Sequence, residues 1–197
     1  MKDIQILIKP DYISYGSICE VIAKAHSTLE NDNIGKLSTT NILPEELQEK
    51  IGTHGQCIIA IDNNKLIGCQ CATIGKIDAW FFNGEILTSG YLAVLPEYRG
   101  QGIAKKMKQK LIEILKKRKS EIIISKIRVK NKVSLKGSRS AGFIPVHSYI
   151  GYGGHACVIT AYWFNGCPYS KFYCNMRYHY SKTKTKLKIY CKTMLKR

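Results

Sequence analysis

Residues 88–119 read TSGYLAVLPEYRGQGIAKKMKQKLIEILKKRK, and this stretch decides the fold. A β-strand (86–94) is followed by a turn at Pro96-Glu97, a loop with two glycines and a long helix. The helix is predicted from apolar residues that recur at steps of three and four and therefore share one face: Ile103, Met107, Leu111, Ile114 and Leu115. Lysines fill most of the remaining positions.

The loop between this strand and helix predicts an anion site. The first amides of a helix have no intrahelical partner, and the helix dipole adds partial positive charge at the same place. Gly100 and Gly102 would let a phosphate approach the backbone closely. Glycines in a loop also occur for conformational reasons alone, so two glycines before a helix are a weak signal by themselves.

Length and composition indicate a globular protein. The chain has 197 residues, of which 45% are apolar, enough for one sizeable domain. No apolar run approaches the roughly 20 residues that cross a bilayer. The N-terminal MKDIQILIKPDY has too short an apolar core for a signal peptide. We therefore expect a cytoplasmic protein.

The eight cysteines predict neither disulfides nor a metal site. A cytoplasmic protein keeps its thiols reduced. His155, Cys157, Cys167 and Cys174 are the nearest approach to a ligand set, but the chain has no CxxC pair and no repeated ligand spacing. We expect buried, reduced thiols and no metal.

The positive charge is concentrated near the C-terminus. The formal net charge is +17, and residues 168–197 contain seven lysines, two arginines and no acidic residue. Tyrosines and Phe172 lie among these cations. This mixture favours nucleic acid or an anionic membrane as a partner, or simply a solvated extension. We predict a domain at 1–165 and a basic Tyr/Lys/Cys-rich extension at 166–197.

Periodicity predicts a mixed α/β fold in the order β-α-α-β-β-β-α-β-α-β-β. Pro44 opens the second helix, and Asn63-Asn64 is a hairpin turn. The predicted strands are 2–8, 56–62, 65–74, 86–94, 121–129, 142–149 and 156–164. The predicted helices are 13–26, one from Pro44, one after Gly102, and 131–141.

The glycine loop and a second motif resemble the GNAT N-acetyltransferases. In that family the coenzyme A pyrophosphate loop reads Gln/Arg-x-x-Gly-x-Gly/Ala, which here is filled by Arg99, Gly102 and Ala104. Asn131-x-x-Ser134 followed by Ala141-Gly142-Phe143 is similar to the Asn-x-x-Ala/Ser helix of the family that ends in Gly-Phe. The order of elements is also that of the family, over residues 3–164.

The resemblance implies an acetyl-CoA site on the central strand and the loop. Gly90 marks an expected bulge that opens a slot for the pantetheine arm, or is a packing glycine. The backbones of Leu92 and Val94 would hold the arm and polarise the acyl carbonyl. The implied cofactor-binding residues are Leu92, Val94, Arg99, Gly100, Gln101, Gly102, Ile103, Ala104, Asn131 and Ser134. Asn131 is equally explained as a helix N-cap. Lys105, Lys106 or a lysine near Lys136 would hold the 3′-phosphate.

The sequence indicates the catalytic residues less clearly than the cofactor-binding residues. Ser138 occupies the position where many relatives have the tyrosine that protonates the departing thiolate, so Tyr149, Tyr152 or water is the alternative acid. Thr88 stands where some relatives place a glutamate base, and Glu85 is the nearest carboxylate in sequence. His147 and His155 have a suitable ordinary pKa for a base, although a structural role is the commoner one for such histidines.

The resemblance implies direct transfer of the acetyl group of acetyl-CoA to an amine. A small-molecule acceptor is the first hypothesis. A cationic protein would repel polyamines and lysine-rich tails but tolerate a neutral or anionic acceptor, such as a nucleotide-linked amino sugar, an acidic amino acid or a ribonucleoprotein. A protein or ribonucleoprotein acetyltransferase that docks through the basic extension is the second. A non-catalytic acyl-CoA-binding module is the third. Candidate partners are acetyl-CoA, an amine acceptor, nucleic acid or an anionic membrane, and a second copy in a homodimer.

Overall fold

The computed structural model describes residues 4–29, 40–118 and 120–194, apart from the side chains of Leu29 and Tyr152. These residues group into two compact units, 1–120 and 121–197. The predicted boundary at residue 165 stays a prediction. The predicted order of elements is confirmed from the first strand to the seventh, and the structure adds one helix after them.

Within the described residues, the first unit contains four strands and three α-helices. They are β1 (Ile4–Ile8), α1 (Tyr15–Leu29), α2 (Pro44–Ile51), β2 (Gln56–Asp62), β3 (Lys65–Ala79), β4 (Phe82–Val94) and α3 (Ile103–Lys117). The strands pair antiparallel in chain order, β1 with β2, β2 with β3 and β3 with β4. Every residue of β2 is buried, so this strand lies at the centre of the core of the unit.

Local sequence explains most boundaries in this unit. Asn63 and Asn64 have φ values of 47° and 64°, the left-handed conformations that a two-residue hairpin turn needs and that asparagine tolerates. The predicted hairpin is therefore confirmed. Proline begins α2 and two glutamates occupy its first turn, as the helix dipole favours.

The hairpin of β3 and β4 is longer than predicted. We expected β3 to end at Ile74 and β4 to begin at Ile86, but the two strands remain paired out to Ala79 and Phe82. Exposed and half-buried residues alternate along this outer part, which is the pattern of a two-stranded ribbon. The glycines at 75 and 84 lie inside the ribbon and do not end the strands.

Helix α3 buries the predicted face. Ile103, Met107, Leu111 and Leu115 are all buried, and the fifth predicted residue, Ile114, is half-buried. Lys108 differs from the solvated lysines that the pattern predicts, because its residue is only 5% exposed. Burial lowers the pKa of this lysine to about 8, since desolvation disfavours the charged ammonium group.

The described part of the second unit contains three strands and two α-helices. They are β5 (Ile122–Arg128), α4 (Lys132–Ser140), β6 (Ile144–Ile150), β7 (Ala156–Trp163) and α5 (Lys171–Met194). Strand β7 pairs antiparallel with β5 on one side and with β6 on the other. Helix α5, which the sequence did not predict, packs on β6. The hydroxyl of Ser170 accepts a bond from the amide of Tyr173 and so caps this helix.

Within the described residues, no helix combines the length and the apolar character needed to cross a bilayer. Six of the eight cysteines are buried. In the same part of the chain, no three His, Cys, Asp or Glu side chains are grouped so that they could hold a metal ion.

Candidate active site

Strand β4 carries a bulge directly after Gly90. Cys71 pairs with Gly90 and Cys69 pairs with Ala93, so two residues of β4, Tyr91 and Leu92, lie opposite one residue of β3. Tyr91 has φ +48°, a left-handed conformation that is unfavourable for a residue with a side chain. Such conformations persist where the surrounding structure holds them, and they concentrate at functional sites. The sequence indicated this bulge at Gly90, one residue earlier.

Side chains hold both carbonyl groups of the bulge. Nε2 of His26, a buried residue of α1, lies 3.2 Å from the carbonyl oxygen of Leu92. Because a carbonyl oxygen only accepts, Nε2 is the protonated nitrogen of this ring. The thiol of Cys69 donates to the carbonyl oxygen of Tyr91 at 3.4 Å. The carbonyl of Leu92 is thus fixed from α1.

The functional candidate His26 was not predicted from the sequence. This histidine ends an apolar helical stretch, and a single histidine there does not indicate a partner 66 positions further along the chain. Only the packing of α1 on β4 reveals the pair.

Arg99 joins the end of β4 to the end of α1. Its Nη2 atom donates to the carbonyl oxygen of Ala25 and to Oγ1 of Thr28, both at 2.8 Å, and its Nε atom donates to the carbonyl oxygen of Val94 at 3.3 Å. A guanidinium group at the C-terminal end of a helix also compensates the negative end of the helix dipole. Arg99 therefore positions the loop through α1 and β4.

The loop after Arg99 presents the N-terminal end of α3 to open space. Gly100 and Gly102 have φ values of 78° and 75°, and a Cβ added at either position would meet no protein atom within 4 Å. The first helical bond runs from the amide of Lys106 to the carbonyl of Gly102. Gly102, the N-cap, supplies no side-chain bond, and the first turn contains no acidic residue.

These features suit an anionic ligand. The amides that precede Lys106 at the start of α3 have no intrahelical acceptor, and no carboxylate of the same turn competes for them. The predicted loop residues Gln101, Ile103 and Ala104 belong to this backbone. The predicted anion site therefore lies on open backbone, and its use for the pyrophosphate of coenzyme A, which the family resemblance implies, stays a prediction.

Asn131 caps helix α4 in the second unit. Its Oδ1 atom accepts a hydrogen bond from the amide of Ser134 at 3.0 Å, which is the arrangement of an N-cap with the third residue of its helix. Of the two explanations for this asparagine, the structure shows the capping one. A contact of Asn131 or Ser134 with the cofactor stays a prediction.

Ser138 is enclosed. Its exposed fraction is 0%, and its carbonyl oxygen accepts bonds from the amides of Ala141 and Phe143, which close the C-terminal end of α4. Gly142 in this closure has φ +88°, as helix-ending glycines commonly do. A side chain without exposed surface has no direct access to a substrate in this conformation.

Tyr149 pairs with Cys157 across β6 and β7. Burial raises the pKa of Tyr149 to about 12, and the neighbouring Cys157, which also exchanges a side-chain hydrogen bond with it, adds to this. Burial raises the pKa of the Cys157 thiol as well. A Cβ at Gly151 would lie 2.7 Å from the sulfur of Cys157, so a larger residue there would require the thiol to move. Both groups keep their protons at neutral pH.

The candidate bases lie in different surroundings. His147 on β6 is half-buried, and burial, followed by the charge of Arg177 on α5, lowers its pKa, so the ring is neutral at pH 7. Glu85 is exposed on the outer ribbon opposite Lys76, and Thr88 is half-buried opposite Thr73. Glu85 and Thr88 are three residues apart in one strand and so project from opposite faces. Their catalytic roles stay predictions.

A sequence model described as the acetyltransferase (GNAT) family matches residues 25–143. N-alpha-acetyltransferase 30 of Schizosaccharomyces pombe is 36% identical over 88 residues, which are 43% of this chain and 55% of that protein. The chain thus spans about half the length of the curated relative it matches.

The chain also resembles solved structures in fold. The ribosomal-protein-S18-alanine N-acetyltransferase from Escherichia coli superimposes with a TM-score of 0.63 at 16% identity, over 82% of this chain and 94% of that one. The NatC complex bound to Gag peptide and CoA gives a TM-score of 0.62 at 18% identity, over 81% and 98% of the two chains. At these identities the likeness establishes the fold.

Proposed function

This chain belongs to the acetyltransferase (GNAT) family, and we propose that it transfers the acetyl group of acetyl-CoA to the α-amine of a protein or peptide. The observation that carries the proposal is the 36% identity with an N-alpha-acetyltransferase over 88 residues. This acceptor differs from the small molecule that was the first hypothesis from the sequence.

The donor side of the reaction rests on the first unit. Acetyl-CoA supplies an acetyl group activated as a thioester. The amides at the start of α3 would bind its pyrophosphate, and the backbone around Leu92 and Val94 would bind the pantetheine arm and direct an N–H group at the acyl oxygen. His26 and Arg99 act as positioning residues, because each fixes a backbone carbonyl of β4 from a side chain.

The proton balance favours an α-amine. The amine nitrogen must be neutral to attack the thioester carbon, after which the C–S bond breaks, the amine loses a proton and the thiolate gains one. An α-amine has a pKa of about 8, against about 10 for a lysine side chain, so an appreciable fraction is already neutral at pH 7. Such an acceptor needs little help from a base, which agrees with threonine at position 88.

Charge favours an acidic or neutral acceptor. With a formal net charge of +17, the chain attracts anionic peptides and repels cationic ones. We therefore expect peptides with acidic residues after the first position to have a lower KM than the same peptides with lysines there.

The test uses matched peptides and purified full-length protein. One peptide has a free N-terminus and one internal lysine, a second has the same sequence with a formylated N-terminus, and a panel of small amines completes the set. CoA release is followed with a thiol reagent, and mass spectrometry locates the acetyl group. We expect acetylation at the α-amine of the first peptide and none of the second.

Each other outcome contradicts the proposal in a specific way. Transfer to the blocked peptide would identify a lysine acceptor, and transfer to the small amines alone would return the acceptor to the small-molecule class. CoA binding without thiol release for any acceptor would indicate the non-catalytic acyl-CoA-binding module.

A further inference from the structure

Helix α5 buries one face on its own unit. Its buried residues recur at steps of four, three and four: Cys174, Tyr178, Ser181 and Thr185. The hydroxyl of Ser181 accepts a bond of 2.9 Å from the amide of Ser148 in β6. This face is fully explained by the packing of the second unit.

The opposite face carries large apolar side chains that remain exposed. Their exposed fractions run from 37% to 61%, although they belong to residue types that usually contribute to cores or interfaces. We call this row the α5 seam: Tyr173, Met176, Tyr180, Leu187, Tyr190 and Met194.

The spacing of the α5 seam is that of a coiled coil. Its residues follow one another at steps of three, four, seven, three and four. Thr183 lies within the step of seven, three residues after Tyr180 and four before Leu187. The hydroxyl of Thr183 is bonded to the carbonyl oxygen of His179, so it is satisfied within the helix. Three consecutive heptads therefore keep positions a and d on one line of about 32 Å.

The repeat of the seam favours a partner helix over a lipid surface. Six of its seven a and d positions carry large apolar residues, and Thr183 occupies the seventh. Phe172, which is 78% exposed, lies beside them at a g position. A period of 3.5 residues kept over three heptads is typical of helix–helix seams, so the observations favour a helix as the occupant.

The residues that flank the seam at e and g positions indicate which charge a partner helix would carry. Arg177 and Lys184 occupy e positions and Lys186 occupies a g position, while residues 168–197 contain no acidic side chain. The ammonium group of Lys184 lies 5.0 Å from the ring centroid of Tyr180 and so borders the seam directly. A second copy of α5 would place cations against cations, which disfavours self-association.

From this combination we propose that the α5 seam binds an acidic amphipathic helix of another protein. The partner helix would have apolar residues at a and d and glutamate or aspartate at e and g. Its apolar residues would cover the exposed tyrosines, methionines and leucine, and its carboxylates would pair with the flanking lysines. This inference concerns a surface that the acetyl-transfer proposal does not use.

The experiment measures binding of designed peptides to the full-length protein. The acidic probe is a labelled peptide of four heptads with isoleucine and leucine at a and d and glutamate at e and g; the basic probe has lysine at e and g. Fluorescence anisotropy is recorded in 50 mM and 500 mM salt. We expect the acidic probe to bind at least tenfold more tightly than the basic one and to weaken at high salt.

Two double variants that lower the net charge by the same amount test where the probe binds. Tyr180→Glu with Leu187→Glu places two carboxylates in the seam, whereas Asn175→Glu with Lys192→Gln makes the same change of two charges at exposed positions outside it. We expect the first to weaken binding of the acidic probe at least tenfold and the second by less than threefold. Unchanged melting temperature and CoA affinity verify that both variants are folded.

Several outcomes would overturn the proposal. Failure of the acidic probe to bind, or equal loss in both variants, removes the helix as occupant. Seam-dependent binding to phosphatidylserine vesicles or to a single-stranded RNA, without binding of the acidic probe, assigns the surface to lipid or nucleic acid. Dimerisation that the seam variant abolishes, detected by sedimentation equilibrium, assigns it to a second copy.

Discussion

His26 on α1 and Leu92 in the bulge of β4 are joined by a contact of 3.2 Å between Nε2 and the carbonyl oxygen. Helix α1 thereby fixes a peptide group of β4 at the bulge, where regular pairing with β3 is interrupted. Because Tyr91 beside it has φ +48°, the bulge depends on such contacts to keep its shape.

We predict that His26→Ala raises the KM for acetyl-CoA about tenfold, the equivalent of about 1.4 kcal/mol, and lowers kcat by a smaller factor. The carbonyl of Leu92 would lose its donor, and the bulge would sample other conformations. His26→Gln keeps an N–H donor and should restore most of the affinity. Steady-state kinetics at varied acetyl-CoA check this, and equal defects in both variants would mean that the ring matters for packing alone.

Arg99→Ala should lower the melting temperature and CoA affinity together. The guanidinium group makes three bonds to α1 and β4, so its loss loosens the loop as well as the fold. The residue is exposed, and we expect a loss of about 1 kcal/mol in the free energy of unfolding. Arg99→Lys retains the charge but not the planar guanidinium group. Its melting temperature and CoA affinity should lie between those of the wild type and Arg99→Ala.

Thermal unfolding and CoA titration on the same preparations separate two roles of Arg99. A large loss of CoA affinity at an unchanged melting temperature would show that the guanidinium group contacts the phosphates directly, and the positioning role would then be wrong.

Gly102→Glu should weaken CoA binding more than a hundredfold. The new carboxylate would stand at the positive end of α3, where it repels phosphate and competes for the free amides. Gly154→Glu is the matched control, because Gly154 has φ +76° and equally open surroundings but does not precede a helix. Calorimetric titration with CoA checks both. Comparable losses in the two variants would attribute the effect to backbone strain.

The sequence predicted the parts of this molecule whose signals are local. The face of α3, the Asn63-Asn64 turn and the glycine loop each lie within a short stretch and follow from periodicity or backbone preference. The same holds for the bulge next to Gly90. The outer ribbon was missed because glycines 75 and 84 suggest strand ends when their pairing partners are unknown.

Other features depend on residues far apart in the chain. The partners of His26 and Arg99 lie 66 to 74 positions away in three of their contacts, so only the folded chain identifies them. Helix α5 is an intermediate case. Ser170 and the three-four spacing of the α5 seam were visible in the sequence, but its lysines and tyrosines are equally typical of a solvated basic extension.

We predict that Tyr149→Phe lowers kcat at least tenfold while the KM for acetyl-CoA stays within about threefold. With a pKa of about 12, this hydroxyl keeps its proton through the neutral range and can donate a hydrogen bond to a departing thiolate. The same pKa predicts that kcat does not fall between pH 7 and pH 10 through ionisation of Tyr149. Cys157→Ala is the control, because it removes the partner of the hydroxyl and retains the hydroxyl itself. A Tyr149→Phe enzyme with unchanged kcat would leave Tyr149 a structural role only.

Lys108→Met should stabilise the protein at pH 7 and have little effect at pH 10.5. The pKa of Lys108 is about 8 in the folded protein and about 10.5 in the unfolded chain, so between these values the unfolded chain binds more protons and the stability of the wild type rises with pH. Below pH 8 the full penalty applies, and the pKa difference corresponds to about 3 kcal/mol.

Methionine has a similar length and no charge, so Lys108→Met should recover about 1–3 kcal/mol at pH 7 and remove the rise between pH 8 and pH 10. Urea unfolding at pH 7, 8.5 and 10 measures both effects. Lys105→Met, at an exposed position of the same helix, is the matched control and should leave the pH dependence of the wild type intact. Lys108 also interacts with other groups in the folded protein. If Lys108→Met instead lowers stability at pH 7, those interactions outweigh the cost of burying the ammonium group.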